Sequence, residues 1–344
     1  MAMEQKASAV HFTVGAQPAV RVNGQLRLLY EENILQEEFV RGIMESVLPP
    51  KELALFAEKK EVVAVRVIGN HIRAKIRVFM QQGFPSIIVQ LIPPKPPQLT
   101  SLGLPESVQK LSQATKGLII LTGPYGSGRT TTASALVESI NHNRAAYIIT
   151  LEEPVEQIFD DKKSVIDQRE IGSDAPDFSA ALAQVKNEDV DVLFVDGANS
   201  TQDLKAILEI AQGNTLVLLV LYASNTLSVL DMLSQSFPES DRGYVHMLLS
   251  ETLVAVVAQR IIPETGGGQL VAAEVLLGSP SVRSVLREGR VQQLATILQT
   301  SREEGMVTLD RSLANLVQAG RISRETALAN AQDLNVLQSL LKRG

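Results

Sequence analysis

The 344-residue chain contains no cysteine and no tryptophan, only four histidines, and aromatic residues at just 4% of positions. The missing cysteines exclude disulfides, thiolate metal sites and a cysteine nucleophile, which fits a reducing cytoplasm. His11, His71, His142 and His246 are scattered without the spacing of metal ligands. Long apolar runs are also missing. A stretch such as TLVLLVLY at 215–222 falls far short of the roughly 20 residues that span a bilayer. The opening MAMEQKASAV has no signal-peptide core, so no direct membrane insertion is expected. There is no excess of positive charge: the net charge of −6 gives no field that draws the chain to nucleic acid or anionic lipid, and no nucleic-acid partner is expected.

What is present is an ordinary globular balance, 45% hydrophobic and 20% charged, in a chain long enough for two domains. AVRVNGQLRLLY (19–30) reads as a hairpin around Asn23-Gly24, and QEEFVRGIMESV (36–47) has helical periodicity. The stretch 61–92 reads as three strands, broken at Gly69-Asn70 and at Gly83-Phe84-Pro85. Prolines at 93, 94, 96 and 97 remove backbone donors and favour a stiff, extended segment. This places an α+β domain at 1–92 and a linker at 93–105. Beyond it, strands alternate with helices, as expected of a mainly parallel sheet: GLIILTGP, AAYIITLEEP (145–154), DVDVLFVDGANS (189–200) and TLVLLVLYAS are the strands. A helix over 200–214 has Ser200 as its N-cap and Gly213 as its stop. The α/β core is assigned to 106–277 and a helical C-terminal region to 278–344.

The most informative stretch is GPYGSGRTT, residues 123–131. It matches the phosphate-binding pattern G-x-x-x-x-G-K-[ST] except that Arg129 replaces the lysine. A buried strand, a glycine-rich turn and a helix start converge backbone N–H groups on an anion. Gly123, Gly126, Ser127, Gly128, Arg129, Thr130 and Thr131 are therefore the candidate nucleotide-binding residues, with the Thr130 hydroxyl available to Mg²⁺. Arginine keeps the positive charge but is longer and planar, and need not fit the cradle of a lysine.

With these residues in view, the chain resembles the type IV pilus retraction ATPases, the PilT branch of the GspE-like secretion ATPases. The resemblance runs through ASAVHFTVGAQPAVRVNGQLR at the start, LEEPVE (151–156), DQREIG (167–172), GGGQLVAAEVLLGSPSVRSVLRE (266–288), GMVTLD (305–310) and AGRISRETAL near the end. It implies a PAS-like N-terminal domain and a RecA-like P-loop core. It also implies ATP or ADP with Mg²⁺ as ligand and a homo-hexamer or co-assembly with an active paralogue. The partner would be the pilus platform at the inner membrane, approached from the cytoplasm. It makes Glu152 and Glu153 the acidic box, and puts Arg283, Arg287 and Glu288 where the family couples to the pilus; from the residues alone these three read equally as an exposed helix face. His11 falls at the family's LHL position, and Arg73 and Lys75 at basic positions of its first domain.

Four elements depart from the family pattern. Arg129 replaces the lysine. The Walker B strand ends Asp196-Gly197 where the family has Gly-Glu, so no glutamate stands ready to orient water; Asp196 reads either as a polar strand stop or as a Mg²⁺ contact. Tyr222 occupies the histidine-box position and reads as partly buried packing. Gly83 and Gln90 fall where arginines are expected. Loss of one base or charge-stabilising group costs roughly 10²–10⁴ in rate. The expectation is a retraction-motor relative with weak or no ATP hydrolysis. Glu152, Glu153 and Asp196 are the candidate catalytic residues, and the alternative is an active hexameric ATPase powering retraction with unusual catalytic groups, Arg129 on phosphate and Asp196 or Glu153 in new roles.

Overall fold

The structure is a computed structural model that describes residues 7–69, 72–93 and 95–342. The chain divides into two compact units. The first runs to Lys95 and includes the later segment Pro154–Ile158; the second holds Pro96–Glu153 and everything from Phe159 onward. Asn70 of the expected first strand break and Pro94 of the linker lie outside the described residues.

The first unit is α+β. Its sheet, among the described residues, runs Gln25–Leu28, Ala19–Val22, Ala7–Thr13, Phe84–Ile92, Ile72–Gln81, Glu61–Ile68, antiparallel throughout. The Asn23-Gly24 hairpin forms as expected, both residues at positive φ, as a type I′ turn requires. The second expected break moves: the turn is Gln82-Gly83, both at positive φ, and Phe84-Pro85 already belong to the next strand. A proline near a strand start removes little pairing. Val40, Met44 and Phe56 of the helices Glu37–Val47 and Pro50–Lys59 close the core over Ala64, Ile76, Val78 and Ile87. Arg73 donates to the Glu156 and Val155 carbonyls at 2.5 and 2.8 Å, and Lys75 pairs with the Glu156 carboxylate at 2.8 Å. These contacts fix Pro154–Ile158 on the first unit.

The second unit carries the mainly parallel sheet. Its order is Gln269–Leu277, Leu253–Pro263, Gly117–Thr122, Leu216–Val220, Val192–Asp196, Tyr147–Glu152, Val165–Glu170. Pairing is parallel except between Leu253–Pro263 and Gln269–Leu277. Successive side chains of one strand serve opposite cores: Leu118 and Ile120 join one cluster, Ile119 and Leu121 the other. A strand covered on both faces is continuously apolar, which is why GLIILT shows no alternation. Each such Leu or Ile contributes about 1.5–3 kcal/mol of burial.

The helices beyond 278 do not form a body of their own. Val282, Leu286, Leu294 and Leu298 share the core of Leu118, while Leu309, Leu313 and Leu337 pack on Ile262 and Ala272 of the antiparallel hairpin. Asp310 of GMVTLD is buried and accepts the N–H groups of Gln332 and Asp333, tying down the last helix, Leu334–Lys342. Among the described residues no helix is long and apolar enough to cross a membrane.

Candidate functional site

The strand Gly117–Thr122 delivers the chain into the loop 123–128, and the helix Arg129–Asn143 leaves it. Gly123 sits at φ +148°, where a Cβ would lie 2.4 Å from the Gln259 carbonyl oxygen and 2.5 Å from Ser127 Oγ. Only glycine fits there. Gln259, on the neighbouring strand and 1% exposed, donates from Nε2 to the Ser127 carbonyl at 2.8 Å and so fixes the loop from behind. The helix that follows begins at Gly128 with no side-chain cap and no acidic residue in its first turn. Its free N–H groups and the positive end of its dipole are left for an external anion.

Ser127 Oγ and Gln259 Oε1 are buried there without a partner, and buried polar atoms of that kind call for a ligand or water. The glycine cradle and the orphaned hydroxyl fit a phosphate-bearing nucleotide. Thr131 follows Thr130 in the first turn, half-buried, and Gly126 stands exposed at the loop's outer edge.

Thr130 Oγ1 donates to Asp196 Oδ2 at 2.6 Å. Asp196 ends its strand in register with Glu152 on one side and Val220 on the other, and Glu152 is in turn level with Glu170. These acids stand at the carboxyl ends of the parallel strands, where open α/β sheets bind ligands. Glu152 is 2% exposed and accepts from Thr150 Oγ1 at 2.7 Å. Glu153 is exposed and its N–H reaches the Asp196 carbonyl at 3.2 Å. Mg²⁺ is commonly held by one or two protein groups together with phosphate oxygens, and Thr130 with Asp196 is the pair suited to that.

Arg129 takes a different course from the other loop residues. Its guanidinium is buried, donates from Nη1 to the Leu221 carbonyl at 2.9 Å, and lies 3.5 Å from the ring centroid of Tyr222. Tyr222 is 59% exposed, so it is not the partly buried packing residue expected from sequence; one ring face covers the arginine instead. Gly197 has φ +118°, and a Cβ there would meet Phe178 at 3.0 Å.

The coupling residues read from sequence are occupied within their own unit. Arg283 donates to the carbonyls of Gly278, Ser250, Glu251 and Leu253, capping the C-terminus of the helix Glu239–Thr252 as a cation does at a negative dipole end. Arg287 contacts Ser250 Oγ at 3.3 Å, and Glu288 is paired with Arg290. The plain exposed-face reading therefore fails for Arg283, which is half-buried, while Arg287 and Glu288 are exposed. In the first unit His11 is held below the ordinary histidine pKa by burial and by Arg21, with Nε2 lacking a partner.

Two residues escaped the sequence reading. Gln259 could have been noticed as an uncharged polar residue that, with Arg260, interrupts the apolar run VAVVAQRII. Glu274 is 2% exposed and accepts from both the N–H and the hydroxyl of Thr226, anchoring the start of the helix Thr226–Gln235.

A family model for the type II/IV secretion system protein matches residues 66–340. The chain is 31% identical over 331 residues to the type IV pilus retraction ATPase PilT of Pseudomonas aeruginosa, covering 96% of this chain and 95% of that protein. It is equally 31% identical to the type IV pilus ATPase PilU of the same organism, covering 99% and 90%. The crystal structure of the pilus retraction motor PilT with bound ADP superposes with a TM-score of 0.84 at 31% identity, covering 98% and 97% of the two chains. The Legionella pneumophila ATPase DotB superposes at 0.82 with 19% identity over 96% and 94%, a likeness of fold. The mixed α/β architecture and the motifs thus agree with what was expected, and the chain belongs to the type II/IV secretion system family, in its PilT-like branch of type IV pilus retraction ATPases.

Proposed function

We propose that this protein is a nucleotide-binding component of the retraction machinery of type IV pili that hydrolyses ATP weakly or not at all. It would act as a homo-hexamer or within a ring shared with an active paralogue, in the cytoplasm against the pilus platform of the inner membrane. The observation that carries the reading is the split between loop and side chains. The backbone cradle around Gly123 is shaped for phosphate, while Arg129 is turned onto Leu221 and Tyr222.

Bound ATP or ADP would rest on the N–H groups of 126–131, with Thr130 and Asp196 beside the metal that screens the phosphates. Phosphoryl transfer to water also needs a group that orients the attacking water and one that neutralises developing charge. Position 197 has no side chain to do the first, and before nucleotide binds Arg129 is engaged with Leu221 and Tyr222.

A second reading rests on one observation: Asp196 is bonded to Thr130 and level with Glu152, which leaves carboxylates near the phosphates and describes an active hexameric ATPase with unusual catalytic groups. Steady-state phosphate release by the purified protein with ATP and Mg²⁺ separates the two. Release at the background of a Thr130→Ala variant, with a labelled ATP analogue still bound by the wild type, supports the first. Robust release abolished by Thr130→Ala establishes the second.

A further inference from the structure

The two departures at 129 and 222 are in contact, and the contact has the form of a latch. We propose that Tyr222 is a positioning residue that holds Arg129 away from the phosphate cradle, and that a nucleotide must take the guanidinium from it. The inference rests on the nucleotide-binding reading above.

Arg129 opens the helix that follows the phosphate loop, where the family's lysine would reach the phosphates. Its guanidinium has instead two partners: the Leu221 carbonyl at 2.9 Å and the Tyr222 ring at 3.5 Å from the centroid. A cation over an aromatic face gains more as it is desolvated, and Arg129 is only 6% exposed.

The backbone that presents these partners is fixed on both sides. Leu221 N–H donates to the Leu121 carbonyl at 3.0 Å, Thr122 Oγ1 reaches the Ala223 carbonyl at 3.4 Å, and Thr226 is held by Glu274. The movable parts are the two side chains. Tyr222 is 59% exposed, so its ring has room to swing into solvent.

A phosphate offers the guanidinium a charged, bidentate partner, which a carbonyl and a ring face do not match. Nucleotide and latch therefore compete, and the apparent affinity is the intrinsic affinity multiplied by the fraction of molecules in which the latch is open. Lysine at 129 would lack the planar fork for this parking place, and histidine at 222 would give a smaller face. The two substitutions make one device that lowers occupancy of the site until nucleotide is abundant.

The test measures affinity of the full chain for a fluorescent ATP analogue with Mg²⁺. Tyr222→Ala, at an exposed position where folding should survive (checked by circular dichroism), is expected to tighten binding by roughly three- to thirtyfold, the range of a cation–π contact. Tyr222→Phe keeps the ring and should return the affinity to that of the wild type. In an Arg129→Ala background Tyr222→Ala should have no effect, because there is nothing left to release. Unchanged or weaker binding in Tyr222→Ala, or an equal gain in the Arg129→Ala background, overturns the latch while leaving nucleotide binding in place. Absence of binding by wild type and every variant overturns the nucleotide reading and the latch with it.

Discussion

The backbone half of the candidate nucleotide site and its side-chain half are built differently. The loop at Gly123, the strut from Gln259 and the uncapped helix start at Gly128 keep the form of a phosphate cradle. Around them, the Arg129 guanidinium lies on the Tyr222 ring and position 197 is a glycine at φ +118°. Backbone donors are part of the fold and cannot be lost without losing the turn, whereas each catalytic side chain is one substitution from removal. If hydrolysis is weak, as proposed above, chemistry has gone before shape.

The largest effect expected on this contrast comes from Gly123→Ala, which attacks the backbone half. The added methyl meets a main-chain oxygen at 2.4 Å, which cannot move out of the way cheaply. Binding of a labelled ATP analogue should disappear, with a loss of about 3 kcal/mol in denaturant unfolding. Wild-type binding in this variant would show that the cradle is not where nucleotide sits.

Gly197→Glu tests the other half. Its backbone angle is unfavourable to any side chain, and Phe178 stands 3.0 Å from the new Cβ. We expect a cost of about 2 kcal/mol and no recovery of phosphate release, even combined with Arg129→Lys. Turnover in the single variant would mean that the strand end relaxes and that the carboxylate is what hydrolysis lacks; turnover only with Arg129→Lys would assign the loss to both positions.

Gln259→Leu joins the halves, since it removes the donor from the Ser127 carbonyl while leaving the loop's own residues unchanged. The cost should be about 1 kcal/mol. The informative result is a fall in nucleotide affinity larger than the fall in stability predicts, because the loop is left to wander.

The smallest effect lies outside both halves and calibrates the stability measurements. Burial and the Arg242 guanidinium hold the His246 imidazole below its ordinary value, with Ser234 Oγ 2.6 Å from Nε2. The folded pKa is depressed, so as pH falls below about 6.5 the unfolded chain binds more protons. Stability present above that pH is lost as pH drops through the folded value. His11 is displaced in the same direction. Urea midpoints near neutrality and in mild acid should converge in His246→Gln relative to wild type; an identical acid loss in both would assign it to other groups.

Much of this was legible in the sequence, and the reasons differ by region. The cradle could be read because its glycines are demanded by backbone geometry within nine consecutive residues. The first-unit hairpin could be read because Asn23-Gly24 states its turn type. The partnership of Arg129 and Tyr222 could not: 92 residues separate Arg129 from the carbonyl it caps, and no periodicity links them. The hairpin Leu253–Pro263 with Gln269–Leu277 was not read because Gln259, Arg260 and Glu274 interrupt its apolar runs. Arg283 misled in another way, since a basic residue on an amphipathic helix gives no sign that its target is the carbonyl end of a different helix.

The path of the chain through LEEPVE has a practical consequence. Glu153 belongs to the second unit and Pro154 to the first, with the return at Phe159. A fragment cut at Lys95 would carry Arg73 and Lys75 without the Val155 and Glu156 groups they bind. The isolated piece would lose those two anchoring contacts and a short stretch of its own surface. Dissecting this protein into halves calls for grafting five residues as well as choosing a place to cut.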